Sequence, residues 1–377
     1  MGYHKNSHEQ LPNFFRPCLT YQRNGDPMNS AMYCEEKYDC RYFRYRTEVP
    51  FPTGNTGYDP RIAWWLAECS HLSYENKLTT VLELKKAGFG KITFFDSKGT
   101  QAYLAQHPGH GGGKFAILSF RGTEQDSIDI LTDINCFARL FPNEDVLNSN
   151  ELKIRHEKFY AHSGFLGSLQ NIWGNALPNN IHTISPNAEW IGDKGISNAL
   201  CELDKDVSVY FTGHSLGGAL ATLAAYKFIF YREEREMTAL YTFGAPRIAK
   251  KAMVKAIQKE LNGKFYRIVN NCDTIPRLPP RIPLLLEFHH AGKPIYFSSK
   301  HRGHRNSTPF WLDSLILLET IVQSLLAILT LKRYVPNTIK DHKISEYIND
   351  LCDELDLKRK SSQVLTKPAK TLIFRHS

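Results

Sequence analysis

Apolar residues cluster in short unbroken runs through the middle of the chain: Phe115 to Phe120, Val207 to Thr212, Ala239 to Phe243 and Phe265 to Val269. Runs of four to eight residues bounded by turn signals predict strands buried on both faces. Stretches of helical length, 217–232 and 249–261, separate the last three runs, and that order makes strands pair in parallel. Farther upstream, Lys91 to Phe95 and Gln101 to Ala105 are joined by a short connection, which predicts antiparallel pairing. Before them Ile62, Trp65, Leu66, Cys69 and Leu72 recur at helical spacing from Asp59, and a second short helix is expected over Leu78 to Lys86. Leu284 to Phe288 reads as a further strand running toward Gly292. The expected fold class is α/β, with a central, mostly parallel sheet, an antiparallel N-terminal part and helices on both faces.

Outside this frame the pattern changes. Residues 1–57 are rich in Tyr, Asn, Pro and Arg without periodicity and read as an irregular arm. The expected catalytic domain is 58–360, followed by a tail at 361–377. It carries two insertions, one at 124–141 and an apolar one at 300–335. Within the first, Ser127 to Leu140 places Ile128, Leu131, Ile134 and Phe137 every three residues, which predicts an amphipathic helix. In the second, Trp311 to Leu331 is apolar, yet Asp313, Glu319, Gln323 and Thr330 make it a poor membrane span. Its basic flanks, Lys300, Arg302, Arg305, Lys332 and Arg333, suit a helix lying in the plane of an anionic bilayer. A helix buried near the site fits the same pattern.

Composition narrows the partners. The 377 residues are 42% hydrophobic, enough for one sizeable domain with extensions. A net charge of +9 suits an anionic partner such as a membrane surface. The basic residues are dispersed and no finger, homeodomain or RNP pattern occurs, so nucleic acid is not expected. Met1 to Gln10 is polar and lacks a signal-peptide core, and Asn6 at the sixth position spoils the myristoylation pattern begun by Gly2. The expectation is a cytoplasmic chain, or one exported without a classical signal, peripheral at a membrane. The eight cysteines are scattered with no metal-ligand spacing and read as free thiols. No cofactor or metal is expected, and no pattern speaks to oligomeric state.

The chemistry concentrates at Gly213-His214-Ser215-Leu216-Gly217-Gly218. A strand precedes it and a helix of small residues follows, the order that a nucleophile elbow requires. Glycine is needed at 213 and 217 because a side chain would collide with the neighbouring strand and helix. Ser215 would project from the sheet edge, with the Leu216 N–H facing a developing oxyanion.

A serine hydroxyl needs a general base, and the base needs a carboxylate that fixes its tautomer. Asp273 follows the strand Phe265 to Val269 and would lie at the same sheet edge as Ser215, whereas Asp204 and Asp206 precede the serine and fail the chain order. His289, His290, His301, His304 and His342 all follow Asp273. His342, in a loop running into the periodic Ile344, Tyr347, Ile348 and Leu351, is best placed for a base. For the second oxyanion donor, Thr123 emerges from the carboxyl end of Phe115 to Phe120. The rival run His110-Gly111-Gly112-Gly113 precedes that strand and reads as a hairpin loop.

Together these segments resemble the class 3 lipases. The resemblance rests on Tyr58 to Tyr74, Phe120-Arg121-Gly122-Thr123, His162-Ser163-Gly164-Phe165, the elbow, Thr242-Phe243-Gly244-Ala245-Pro246-Arg247, Asn271-Cys272-Asp273-Thr274-Ile275-Pro276-Arg277-Leu278 and Asp341-His342. It implies an α/β-hydrolase fold and a catalytic triad of Ser215, Asp273 and His342. It further implies oxyanion residues Thr123 and Leu216, a mobile lid after Thr123 and a structural His290-Ala291-Gly292. The expected activity is hydrolysis of carboxylic esters of glycerolipids at a lipid interface. A phospholipase and a catalytically idle membrane-binding protein are the alternatives.

Overall fold

A computed structural model describes residues 41–109, 113–123, 138–141, 159–174, 195–231, 236–270, 273–279, 287–298, 301–305 and 341–357. Ten strands are defined among them: β1 Ile92–Ser97, β2 Thr100–His107, β3 Phe115–Phe120, β4 Ala138–Phe141, β5 Phe159–His162, β6 Ser208–His214, β7 Ala239–Phe243, β8 Phe265–Asn270, β9 Lys293–Ser298 and β10 His301–Arg305. Eight form one sheet in the order β1-β2-β3-β6-β7-β8-β9-β10. Pairing is antiparallel for β1-β2-β3, parallel from β3 through β9 and antiparallel again at β10. The unbroken apolar runs become β3, β7 and β8, which are buried at every position.

Helices cover both faces. On one side lie α1 (Pro60–Leu72), α2 (Lys77–Lys86) and α7 (Ile344–Glu354). On the other lie α3 (Ser163–Trp173), α4 (Ile196–Cys201), α5 (Leu216–Tyr231) and α6 (Lys251–Glu260). Asp59 caps α1 by accepting the Arg61 N–H at 2.8 Å, and Pro60 fits the first helical position, where no N–H is needed. The fully buried Ala219, Ala221, Ala224 and Ala225 let α5 approach the sheet closely. The stretch 41–57 contains no helix or strand, yet Tyr42, Phe43 and Val49 are buried, and Trp65 Nε1 donates to Val49 O at 2.7 Å.

Two expectations are corrected. The helix over Ser127 to Leu140 does not extend to its end, because Ala138–Phe141 is a strand paired with Phe159–His162. There Ala138 and Arg139 are exposed and Phe141 is buried against Tyr226. Residues 124–137, with the rest of that expected helix, lie outside the described residues. So does Trp311 to Leu331. The strand expected over Leu284 to Phe288 is also not seen at its described end: Glu287 and Phe288 are irregular, and the next strand is β9, after Gly292. No described helix is long and apolar enough to cross a membrane.

Candidate functional site

Three loops meet at the carboxyl ends of the parallel strands. The first is the elbow between β6 and α5. Ser215 has φ 57°, a left-handed conformation that L side chains rarely adopt, and its N–H donates to Phe243 O of β7 at 2.9 Å. The flanking glycines allow the turn. A Cβ on Gly213 would lie 2.3 Å from Gly217 O, and one on Gly217 would lie 2.2 Å from Phe120 O of β3. As the first residue of α5, Leu216 has an N–H with no partner in the preceding turn.

Asp273 stands in the second loop, after β8. Its N–H donates to Asn270 O at 2.9 Å, and its side chain is fully buried. One carboxylate oxygen accepts the Ile275 N–H at 2.9 Å. The other accepts His342 Nδ1 at 2.8 Å and the Tyr347 hydroxyl. The third loop delivers His342 just ahead of α7. With Nδ1–H given to the carboxylate, the lone pair of a neutral ring is at Nε2. Both that Nε2 and Ser215 Oγ are buried and without a hydrogen-bond partner. Such atoms carry a desolvation cost, and they cluster where chemistry is done.

Gly244 closes the arrangement. It follows Phe243, to which Ser215 is bonded, and has φ 59°. A Cβ there would meet Asp273 Oδ2 at 2.8 Å, the Tyr347 hydroxyl at 2.9 Å and His342 Cε1 at 3.0 Å. The backbone beside Ser215 therefore packs against His342 and Asp273 at once.

The expected oxyanion residue Thr123 and the described end of the rival glycine run, Gly113, lie at opposite ends of β3. Strands β3 and β6 run parallel, with Phe120 beside Gly213 and Phe115 beside Ser208. Thr123 consequently leaves β3 at the serine's edge, where Phe120 O and Gly122 press on the elbow. Residues 110–112 lie outside the described residues, but Gly109 and Gly113 flank them at the start of β3. A Cβ on Gly109 would lie 2.4 Å from Gly113 O, beside the paired ends of antiparallel β2 and β3. A six-residue strand puts Gly113 roughly 20 Å from the elbow.

The remaining acids and histidines are structural or remote. Asp204 and Asp206 pair with Lys114 at 3.1 and 3.2 Å, ahead of β6. His289 joins a backbone bridge to Ala249. His290 gives Nε2–H to Pro276 O, and burial together with nearby Arg267 and Arg247 holds it neutral, well below the usual histidine range. His301 and His304 belong to β10. Two side chains that sequence reasoning gave no role do join the site: Tyr347, on Asp273, and His214, against His342 O. The adjacency of His214 to Ser215 was a signal, but Tyr347 looked like one more apolar position of α7.

Comparison with known proteins fits this geometry. A family model described as lipase (class 3) matches residues 117–282, a stretch holding Thr123, Ser215, Leu216 and Asp273, with His342 beyond it. Over 76 residues the chain is 41% identical to phospholipase A(1) DAD1, chloroplastic, of Arabidopsis thaliana, covering 20% of this chain and 17% of that protein. Over 195 residues it is 28% identical to triacylglycerol lipase OBL1 of Arabidopsis thaliana, covering 48% of this chain and 37% of that protein. The matches thus span less than half the length of these relatives. Among solved structures, a triacylglycerol lipase whose catalytic centre is described as a serine protease triad has a TM-score of 0.50 and 19% identity. It covers 68% of this chain and 91% of its own, a likeness of fold. Residues 117–282 thus match the class 3 lipase model within a mostly parallel sheet covered by helices, and over that stretch the chain is similar to the class 3 lipases.

Proposed function

We propose that this protein hydrolyses carboxylic ester bonds of glycerolipids, of triacylglycerol type, through an acyl-enzyme on Ser215. The observation that carries the reading is a buried Asp273–His342 pair at 2.8 Å whose outer nitrogen is unpartnered, beside an unpartnered serine hydroxyl held in a left-handed turn. Ser215 Oγ attacks the ester carbonyl carbon while its proton passes to His342 Nε2. The negative charge on the carbonyl oxygen is met by the N–H groups of Leu216 and Thr123. As the tetrahedral carbon collapses, His342 returns the proton to the departing glycerol oxygen. Water, deprotonated by the same nitrogen, then releases the fatty acid from the serine. Asp273, held by three donors, orients His342 throughout and stabilises its charged form.

The substrate meets this site at a lipid interface, and the net positive charge of the chain favours an anionic membrane surface. A second reading, a phospholipase acting on membrane lipids, is favoured by the 41% identity to a phospholipase A(1). A lipid panel separates the two. Triacylglycerol emulsions are set against phosphatidylglycerol and phosphatidylethanolamine vesicles, with Ser215→Ala as the blank. Faster Ser215-dependent release of fatty acid from the emulsion is expected. Release from the vesicles alone selects the second reading, and release from neither overturns both.

A further inference from the structure

His214 occupies the elbow position before the nucleophile, and the hydrolytic steps above give it no role. Its side chain is buried, and both ring nitrogens are engaged. Nε2 lies 2.6 Å from His342 O, and Nδ1 lies 2.8 Å from the Tyr74 hydroxyl. A carbonyl oxygen can only accept, so the proton sits on Nε2. Burial, and then the neighbouring His342, hold the ring neutral, well below the usual histidine range. A neutral ring protonated at Nε2 has only a lone pair at Nδ1, so Tyr74 must donate. Burial also keeps the Tyr74 phenol protonated. Each bond of the series has one permitted direction: Tyr74 O–H to His214, and His214 N–H to His342 O.

We propose that Tyr74 and His214 are positioning residues, which fix the separation between the oxyanion segment leaving β3 at Gly122-Thr123 and the base His342. The inference rests on the Ser215–His342–Asp273 reading of the reaction. Both ends of the series are close to the chemistry. Gly122 directly precedes Thr123, and a Cβ on it would lie 2.2 Å from the Tyr74 hydroxyl and 2.7 Å from His214 O. At the other end, two successive carbonyls of the base loop are held from the strand ends: His342 O by His214, and Asp341 O by Asn270 Nδ2 at 3.1 Å. The His214 ring also lies 4.5 Å from that of His342, walling one side of it. Serine attack needs the base and the oxyanion donors in register together, and a misplacement of about 1 Å can cost about 100-fold in rate.

The experiment measures kcat and KM on a soluble short-chain ester for Tyr74→Phe, His214→Phe, the double variant and His214→Gln. Rates are normalised to the folded fraction by circular dichroism. Expected are kcat losses of about 10- to 100-fold with KM changed by less than about twofold. The double variant should be no worse than His214→Phe alone, because one series broken twice is broken once. His214→Gln, whose amide can still donate to His342 O, should recover part of the loss. If His214→Phe does not fold, Tyr74→Phe, which removes a single oxygen, carries the test. Unchanged kcat in folded Tyr74→Phe, or independent additive losses, overturns the inference alone. A wild-type protein without Ser215-dependent turnover overturns the reading of the reaction itself, and this inference with it.

Discussion

The two faces of the central sheet are built from different materials. Under α3, α5 and α6 the core is almost entirely aliphatic and phenylalanine, with Val209, Phe211, Leu220, Leu223, Leu166, Leu169 and Met253 buried. Among its described residues Tyr226 is the one tyrosine. Under α1 and α7 the core holds six tyrosines, Tyr42, Tyr103, Tyr210, Tyr241, Tyr266 and Tyr347, and it is tied by hydrogen bonds. Tyr241 donates to Gly57 O at 2.9 Å and accepts from Asp59 N at 3.0 Å, and Ser70 meets Thr212 at 2.9 Å. The serine's turn is set by close packing of glycines and alanines against the first face. His342, with Tyr347, His214 and Tyr74, is set by directional bonds. Packing holds Ser215, and hydrogen bonding holds His342.

The strongest way to break this division is at His342. His342→Ala should lower turnover by about four to six orders of magnitude with the fold intact. His290→Ala, which removes a bond to Pro276 O, should cost stability while turnover per folded molecule persists. Steady-state kinetics beside thermal melts checks both. The reverse ranking would move the base to His290.

A paired substitution sharpens the contrast at smaller scale. Leu223→Ala, at a fully buried position of α5, should cost about 2 to 5 kcal/mol in urea unfolding and leave kcat per folded molecule unchanged. Tyr347→Phe removes one hydroxyl from Asp273 and should lower kcat about tenfold, with a stability change of about 1 kcal/mol. Similar effects of the two on kcat would erase the division.

The smallest effect is a pH slope on the tyrosine-rich face. Glu68 is buried in α1, and burial raises its carboxyl from 4.5 to about 8, against a backbone hydrogen bond from Phe43. The folded protein thus keeps a proton that the unfolded chain has lost. This contribution is fully present below pH 4.5 and disappears as pH rises toward 8, with a slope of at most about 1.4 kcal/mol per pH unit. Glu68→Gln should flatten that slope in unfolding measurements between pH 5 and 8.

Much of this was legible in the sequence because it rests on local rules. Doubly buried strands show as unbroken apolar runs, as at Phe115 to Phe120. The elbow shows because its glycines at 213 and 217 are imposed by contacts within one turn and with the next strand. Asp273 and His342 were singled out by chain order and loop placement, and the structure brings their side chains together at 2.8 Å. The strand Lys293–Ser298 was missed, since Lys293 and Pro294 break its apolar pattern, although Ile295 and Phe297 are buried. At Ala138–Phe141 the spacing of the preceding residues suggested a helix, and pairing with Phe159–His162 overrode it. Tyr347 and His214 were given no role because a phenol or imidazole has its meaning only from partners distant in sequence, 74 residues away for Asp273 and 128 for His342.

The central claim is that Ser215 is a nucleophile activated by His342. It is tested most directly with an activated alkyl phosphonate ester, which a serine hydrolase attacks with loss of the leaving group, read by intact mass and peptide mapping. The account predicts one adduct per molecule, on Ser215, absent in Ser215→Ala and formed at least about a thousandfold more slowly in His342→Ala. An adduct on another residue, or labelling of Ser215 at the same rate without His342, would contradict it.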